Sequence, residues 1–328
     1  MTFTAEQDAL RDSVRKLLDR EADPWPGLCE QIGVAALAVP ERFGGLGAGT
    51  AELQVVAEEL GRVLADVPFL GSAVLAVHAL LATGDDDACE RLLPRLAEGV
   101  VGAVAWTDAD GRWNAPACDA SESTASETTV DGEAHYVLHA DEAEILLVLA
   151  GDSLYEVTDA PRVRTAAMDE TRRLARVTFD RTPARLIGPV DVGALRDVAC
   201  AVLAAEQAGA AARAFELTVE YSKQRHQFGR PIGGFQALKH RMADLHVLVE
   251  TARSAAYAAP ESSRLAAVAK VHCSEALATV AGEMIQLHGG IAITWEHPAH
   301  RYFKRAHGAA HLFGSPGDHL GRVRPPLS

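Results

Sequence analysis

Aromatic side chains are scarce in this sequence, at 5% of residues, and so is positive charge, with 31 Lys and Arg against 45 Asp and Glu. The net charge of −14 repels phosphate backbones and anionic lipid. Nucleic acid and membrane surfaces are therefore not expected as general partners, although a local basic cluster could still take a small anionic ligand. Cysteines are few and scattered (Cys29, Cys89, Cys118, Cys200, Cys273). None form a CxxC pair, so neither a zinc site nor a redox dithiol is indicated, and reduced thiols of a cytoplasmic protein are expected. No apolar run approaches the roughly 20 residues of a membrane helix. Residues 1–21 are charged throughout and lack the apolar core of a signal peptide.

What is present is an ordinary globular composition, 48% apolar and 23% charged over 328 residues, enough for more than one structural unit. Residues 4–18 read as a helix. Thr4 and Gln7 stand at capping-box spacing, and Leu10, Val14, Leu17 and Leu18 share one face. A glycine-rich turn follows at 40–49. The next helix carries Leu53, Val56, Leu60, Val63 and Leu64 on one side, and Glu58 and Glu59 on what reads as its solvated face. Two more helices are expected near 70–81 and 86–97. The pattern changes near Val100. Residues 143–150 and 174–180 alternate as strands, while 114–131 reads as a loop or a degraded hairpin. After Pro189 the chain is helical again. A long helix spans about 192–222, and a break at 225–234 contains Pro231 and a glycine pair. A second helix presents Phe235, Leu238, Met242, Leu245, Val249 and Ala252 as a bundle seam, and two more span about 262–287 and 298–312. The expected fold is α+β, mainly α. It comprises an N-terminal helical domain (1–100), a small and shortened β-domain (101–188) and a C-terminal four-helix bundle (189–328).

Local motifs carry more than this order does. The stretches PERFGGLG (40–47), EELGR (58–62), TRRLARVTFD (171–180), RHQFGRPI (225–232) with Phe235 and Gln236, and QLHGGIAITWEHP (286–298) together resemble the acyl-CoA dehydrogenase family along almost the whole chain. The resemblance implies an FAD enzyme that desaturates CoA thioesters. It assigns Arg225, Gln227, Phe228, Gln236, Gln286, Leu287, Gly289 and Gly290 to cofactor binding. The residue types suit that role. Arg225 offers a planar fork of donors to a pyrophosphate. The glutamines can donate to phosphate or ribose oxygens, Phe228 offers a flat apolar face, and the glycines allow close backbone approach. The plain structural alternative is a helix–turn–helix with Phe228 as a core plug and Gly289–Gly290 as a helix cap. Gly45, Gly47 and Gly49 follow no βαβ unit and read as a turn. His307 and His311 lie one helical turn apart with no third ligand. Thr107 falls where the family has a Thr that bonds the flavin edge, although the sequence after it differs.

The same resemblance exposes losses. The family's base is a Glu at the position of Phe313, or in a minority of members at the position of Ala199. Neither residue here can take a proton. Cys200 replaces a common Arg, and Asp197 matches an acidic position near the substrate. The aromatic-Ile-Thr run that backs the flavin ring is replaced by residues 136–144. The elements that touch phosphate and adenosine remain. In this family each FAD lies between two subunits, and some actinobacterial relatives form α2β2 assemblies with one degenerate subunit, which this chain resembles. Three readings follow: a half-site subunit of a heteromeric, FAD-dependent acyl-CoA dehydrogenase with no catalytic residue of its own; a self-sufficient enzyme with Asp197 or Asp244 as a displaced base; or a flavin-free scaffold. The acyl group is expected to be lipid- or sterol-derived by the same resemblance.

Overall fold

The computed structural model describes residues 3–122 and 128–323. Helix α1 (Ala5–Leu18) begins where the sequence places it. The Thr4 hydroxyl accepts from the Gln7 amide at 3.2 Å, and the Gln7 side chain accepts from the Thr4 amide at 3.1 Å. Removing this cap by Thr4→Ala is expected to lower stability by about 1 kcal/mol, read as a shifted denaturation midpoint with an unchanged slope.

A short turn, α2 (Trp25–Gly27), leads to α3 (Thr50–Val63), then α4 (Val77–Thr83) and α5 (Asp86–Ala97). A π-helical stretch, Phe69–Ala76, runs directly into α4. Glu58 and Glu59 are a correction. Both are buried rather than solvated. Glu59 accepts two hydrogen bonds from Arg15 at 2.8 Å, and Glu58 accepts from the Tyr257 hydroxyl at 2.5 Å and pairs with Arg253 at 2.9 Å. The cause is that α3 is covered on more than one side, by α1 and by the bundle helices. Buried carboxylates persist there because each one is matched by a guanidinium.

The β region holds β1 (Gly102–Ala105), β2 (Cys118–Glu122), β3 (Thr128–Leu138), β4 (Ile145–Ala150), β5 (Ser153–Val157), β6 (Arg162–Arg164) and β7 (Leu174–Pro189). The order is β1-β4-β2-β3-β7-β5, with β6 on β7 and a further β4–β5 pairing that closes the sheet on itself. All six residues of β4 are buried, which explains an unbroken apolar run in place of alternation. The stretch at 114–131 is a hairpin rather than a loop, since β2 and β3 pair antiparallel from Cys118–Gly132 to Glu122–Thr128. Residues 123–127 lie outside the described residues. Strand β7 continues well past the expected end because its second half pairs with β5.

The C-terminal part comprises α6 (Val192–Gln224), the small hairpin β8 (His226–Gln227) and β9 (Arg230–Pro231), α7 (Gln236–Ala258), α8 (Ser263–His288), α9 (Ala299–His311) and α10 (Pro316–Val323). Helix α10 was not anticipated, and residues 324–328 lie outside the described residues. Helices α6 and α8 are each long and apolar enough to cross a bilayer, which the run-length reading missed; 72% of that stretch of α6 is buried against its neighbours, as in the central helix of a bundle. Helix α3 crosses α6 closely enough that a Cβ on Gly209 would sit 1.9 Å from the Glu58 carbonyl oxygen. The seam on α7 is half realised. Leu245, Val249 and Ala252 are buried, whereas Phe235, Leu238 and Met242 are only half-buried, because the front of α7 extends beyond the chain's own bundle.

Candidate functional site

Two neighbourhoods hold the residues singled out above. The first lies where α6 and α8 end. The Arg225 amide closes α6 by donating to Tyr221 O at 2.8 Å, and the Ile232 amide donates back to Arg225 O at 2.7 Å, which folds the β8–β9 hairpin against the helix end. The Tyr221 ring stacks on His288 at 4.3 Å, and its hydroxyl donates to His288 O at 3.3 Å. This contact brings the segment carrying Arg225, Gln227 and Phe228 beside the one carrying Gln286, Leu287, Gly289 and Gly290. Gln236 starts α7 at the same end, next to Phe235, which meets the Phe228 ring at 6.1 Å.

Leu287 is half-buried and the other seven are exposed. Phe228 is 91% exposed and has a φ of 50°, so the core-plug alternative fails. A bulky residue held in the left-handed region is a backbone outlier. Gly289 does serve as the C-cap of α8 with φ 65°, and Cβ atoms built on Gly289 or Gly290 would meet nothing within 4 Å. The surroundings extend the open face: Ile293 and Trp295 are 75% and 69% exposed. A guanidinium, three primary amides, a bare ring and two glycines on one open end form a donor set that suits a phosphate-bearing, ring-bearing ligand.

The second neighbourhood is the crevice where the base would stand. Phe313 and Ala199 are both fully buried. Phe313 meets Trp113 at 5.0 Å and Trp106 at 6.3 Å, and the two indoles meet edge to face at 5.5 Å. Sequence reasoning flagged Phe313 only as a missing carboxylate and passed over both tryptophans. Their scarcity in an aromatic-poor chain was the available signal. Thr107 is buried, and its hydroxyl donates to Arg112 O at 2.6 Å. Its single proton is thus committed, which leaves the oxygen as an acceptor. Burial pushes the Cys200 thiol up to about 12, which leaves it inert. Asp197 is bound by Arg322, and Asp244 sits exposed on α7, away from any core. His307 is exposed against the Phe303 ring, and no group of three metal-ligating side chains occurs among the described residues.

The family implies FAD, and the two neighbourhoods answer differently to it. The open end fits the dinucleotide tail. At the second neighbourhood Trp106, Trp113 and Phe313 pack on one another, and a cavity of about 450 Å³ remains beside them, lined by Arg112, Trp113, Arg196, Phe313, Gly314 and His319.

Residues 4–100 match the model of the acyl-CoA dehydrogenase N-terminal domain, and residues 197–322 that of the C-terminal domain. The chain is 42% identical to acyl-CoA dehydrogenase IpdE2 of Mycobacterium tuberculosis, over 98% of each chain. It is 41% identical to IpdE2 of Mycolicibacterium smegmatis, again over 98% of each. Among solved structures it resembles the Tcur3481-Tcur3483 steroid ACAD (30% identity, TM-score 0.85, 97% of this chain and 96% of that one). It also resembles the ChsE4-ChsE5 complex from Mycobacterium tuberculosis (26%, 0.88, 98% and 97%). The chain belongs to the acyl-CoA dehydrogenase family of oxidoreductases.

Proposed function

We propose that this chain is the half-site subunit of a heteromeric, FAD-dependent acyl-CoA dehydrogenase. On this reading it lends its open bundle end to the FAD of a second, acyl-CoA dehydrogenase-like chain and runs no site of its own. The observation that carries the reading is the contrast within one molecule. Both positions open to a base are apolar and buried, and three aromatic rings pack on one another in the crevice. The cofactor-facing donors meanwhile stand exposed.

The chemistry FAD supplies when bound is acceptance of a hydride from the β-carbon of the thioester. This chain's part is binding. Arg225 would face the pyrophosphate, with Gln227, Gln236 and Gln286 donating to phosphate or ribose oxygens. Phe228 would pack on the tail, and the bare backbone of Gly289 and Gly290 would admit it closely. The α-proton is left to a carboxylate of the partner. The heteromeric structural relatives support the partnership, and the steroid ACAD among them supports a bulky, sterol-derived acyl group.

The self-sufficient reading needs a base, and the pairing of Asp197 with Arg322 argues against the nearest one. Asp197→Asn and Asp244→Asn should each leave turnover of the complex within about tenfold of wild type, far short of the loss expected when a general base is removed. A fall of several hundredfold in either variant, with assembly intact, would make that residue the base. Assembly itself is testable by light scattering. The half-buried front of α7 and the exposed rings at the bundle end predict self-association of the isolated chain and a defined heterotetramer with the partner. A stable monomer that ignores the partner would refute the reading.

A further inference from the structure

The two cofactor-facing segments meet through three neighbouring rings. The His288 ring stacks on Tyr221 at 4.3 Å and meets His297 at 4.4 Å. Tyr221 is in the last turn of α6, just before Arg225, and its hydroxyl donates to His288 O at 3.3 Å. His288 ends α8, directly before Gly289, and His297 stands in the turn that leads into α9. We propose that these rings form a clasp that sets the Arg225 segment against the Gly289 segment, with His288 as the positioning residue, and that the clasp holds only while both imidazoles are neutral. The proposal rests on the reading that this end of the bundle holds FAD. It adds a regulation of that site, in which acid releases the cofactor.

Hydrogen bonding fixes the protonation of each ring. His288 Nδ1 lies 2.8 Å from Met284 O, and a carbonyl takes only a donor, so Nδ1 carries the proton. Nε2 is then a bare lone pair. It is buried and has no partner, so a second proton there would be a buried charge with no acceptor. His297 is used the other way. Its Nδ1 accepts from the Ala299 amide at 3.2 Å, where α9 begins, and a protonated Nδ1 cannot accept. Burial holds both imidazoles below the ordinary value; for His288 the bond to Met284 O opposes this, and His297 adds to it. Tyr221 faces His288 from α6. On the α7 side Arg241 is paired with Glu283, more than a turn before His288. From α9, His300 reaches His297, with Arg301, Lys304 and Glu170 around it, and Glu296 precedes His297 in the chain. No carboxylate pairs with either ring among the described residues, so nothing there rewards the charged form.

The sign follows from these bonds. An opened junction takes up protons at the ordinary imidazole value of about 6.5, while the closed clasp resists them. The clasp is therefore at full strength above about pH 6.5. It weakens as pH falls from there through the depressed values, by up to about tenfold per pH unit for each ring that must stay neutral. Arg225 and the glutamines do not titrate in this range, so they cannot produce the same dependence.

FAD affinity of the co-expressed complex, read from visible absorbance between about pH 7.5 and about pH 5.5, tests the clasp. The wild type should lose about tenfold or more over this range. His288→Phe keeps a ring on Tyr221 but takes no proton, so it should match the wild type at the upper end and lose less on acidification. Adding His297→Asn, which keeps an acceptor for the Ala299 amide, should flatten the profile. His288→Ala should bind FAD about tenfold more weakly even at the upper end, the effect of losing a stacked ring from the junction. A profile of wild-type steepness in the double variant would overturn the proposal, as would wild-type affinity at the upper end in His288→Ala. Should His288→Ala fail to assemble, the double variant decides, since it keeps both ring positions occupied. If Arg225→Ala lowers flavin content while these variants behave as wild type, the clasp is wrong and the half-site reading stands. If Arg225→Ala leaves flavin content unchanged as well, the half-site reading falls with it.

Discussion

Arg225→Ala is expected to keep its partner and lose flavin. Arg225 is exposed at the end of α6, and its backbone, not its side chain, closes that helix. Its removal should therefore leave the chain's own stability nearly unchanged. An Arg–phosphate fork is a charge-assisted contact that Lys cannot fully replace. Its loss costs roughly 1.5–3 kcal/mol, or about ten- to a hundredfold in FAD affinity. Visible absorbance per assembly should fall while the ratio of the two chains holds. If Arg225 is only a helix-end charge, worth about 0.3–1 kcal/mol, both flavin content and affinity will stay as they were. That outcome would remove the main physical support for placing this chain in a flavin site.

Phe313→Glu restores the residue type of the family's base and should restore no activity to this chain. The ring is fully buried between two tryptophans. Cutting a buried Phe costs about 3–5 kcal/mol in comparable large-to-small substitutions, and the new carboxyl gains no designed partner. Burial raises a carboxylic acid by as much as 3–5 pKa units, so it would stand protonated near pH 7 and accept no α-proton. The expected result is a destabilised chain, read as a lower midpoint in denaturant. Turnover of the complex should rise no higher than wild type. A gain in turnover per assembly, or a second flavin per pair of chains, would mean that the crevice is a dormant site.

How far the sequence could be read depended on whether a feature was local. The cap at Thr4 and the bounds of α5 came from neighbouring residues and were found where expected. Strand β4 was legible because a strand buried on both faces is an unbroken apolar run. The β2–β3 hairpin was legible only as one of two alternatives, since Ala, Ser, Thr and Glu at 114–131 carry little pattern. Glu58 and Glu59 misled for a related reason. Apart from Arg62 three residues on, which pairs with Glu59 at 3.8 Å, their partners Arg11, Arg15, Arg253 and Tyr257 lie on other helices, and no spacing within α3 reveals those. On α7 the periodicity identified an apolar face correctly but could not say what covers it, which is why Phe235 and Met242 remain half-buried.

The site divides along the same line. Arg225 through Gln236 and Gln286 through Gly290 were legible as motifs, and the structure sets the two segments side by side through Tyr221 and His288. That the crevice was lost could be read from Phe313 and Ala199. That Trp106 and Trp113 pack on Phe313 could not. Trp106 and Trp113 precede Phe313 by some two hundred residues.

The most direct measurement is flavin stoichiometry, taken from visible absorbance per mole of protein for the purified chain and for the complex with its co-expressed partner. The account predicts a colourless chain alone and one flavin per pair of chains in the complex. A chain that purifies yellow by itself at full occupancy, and turns over acyl-CoA without the partner, would contradict it.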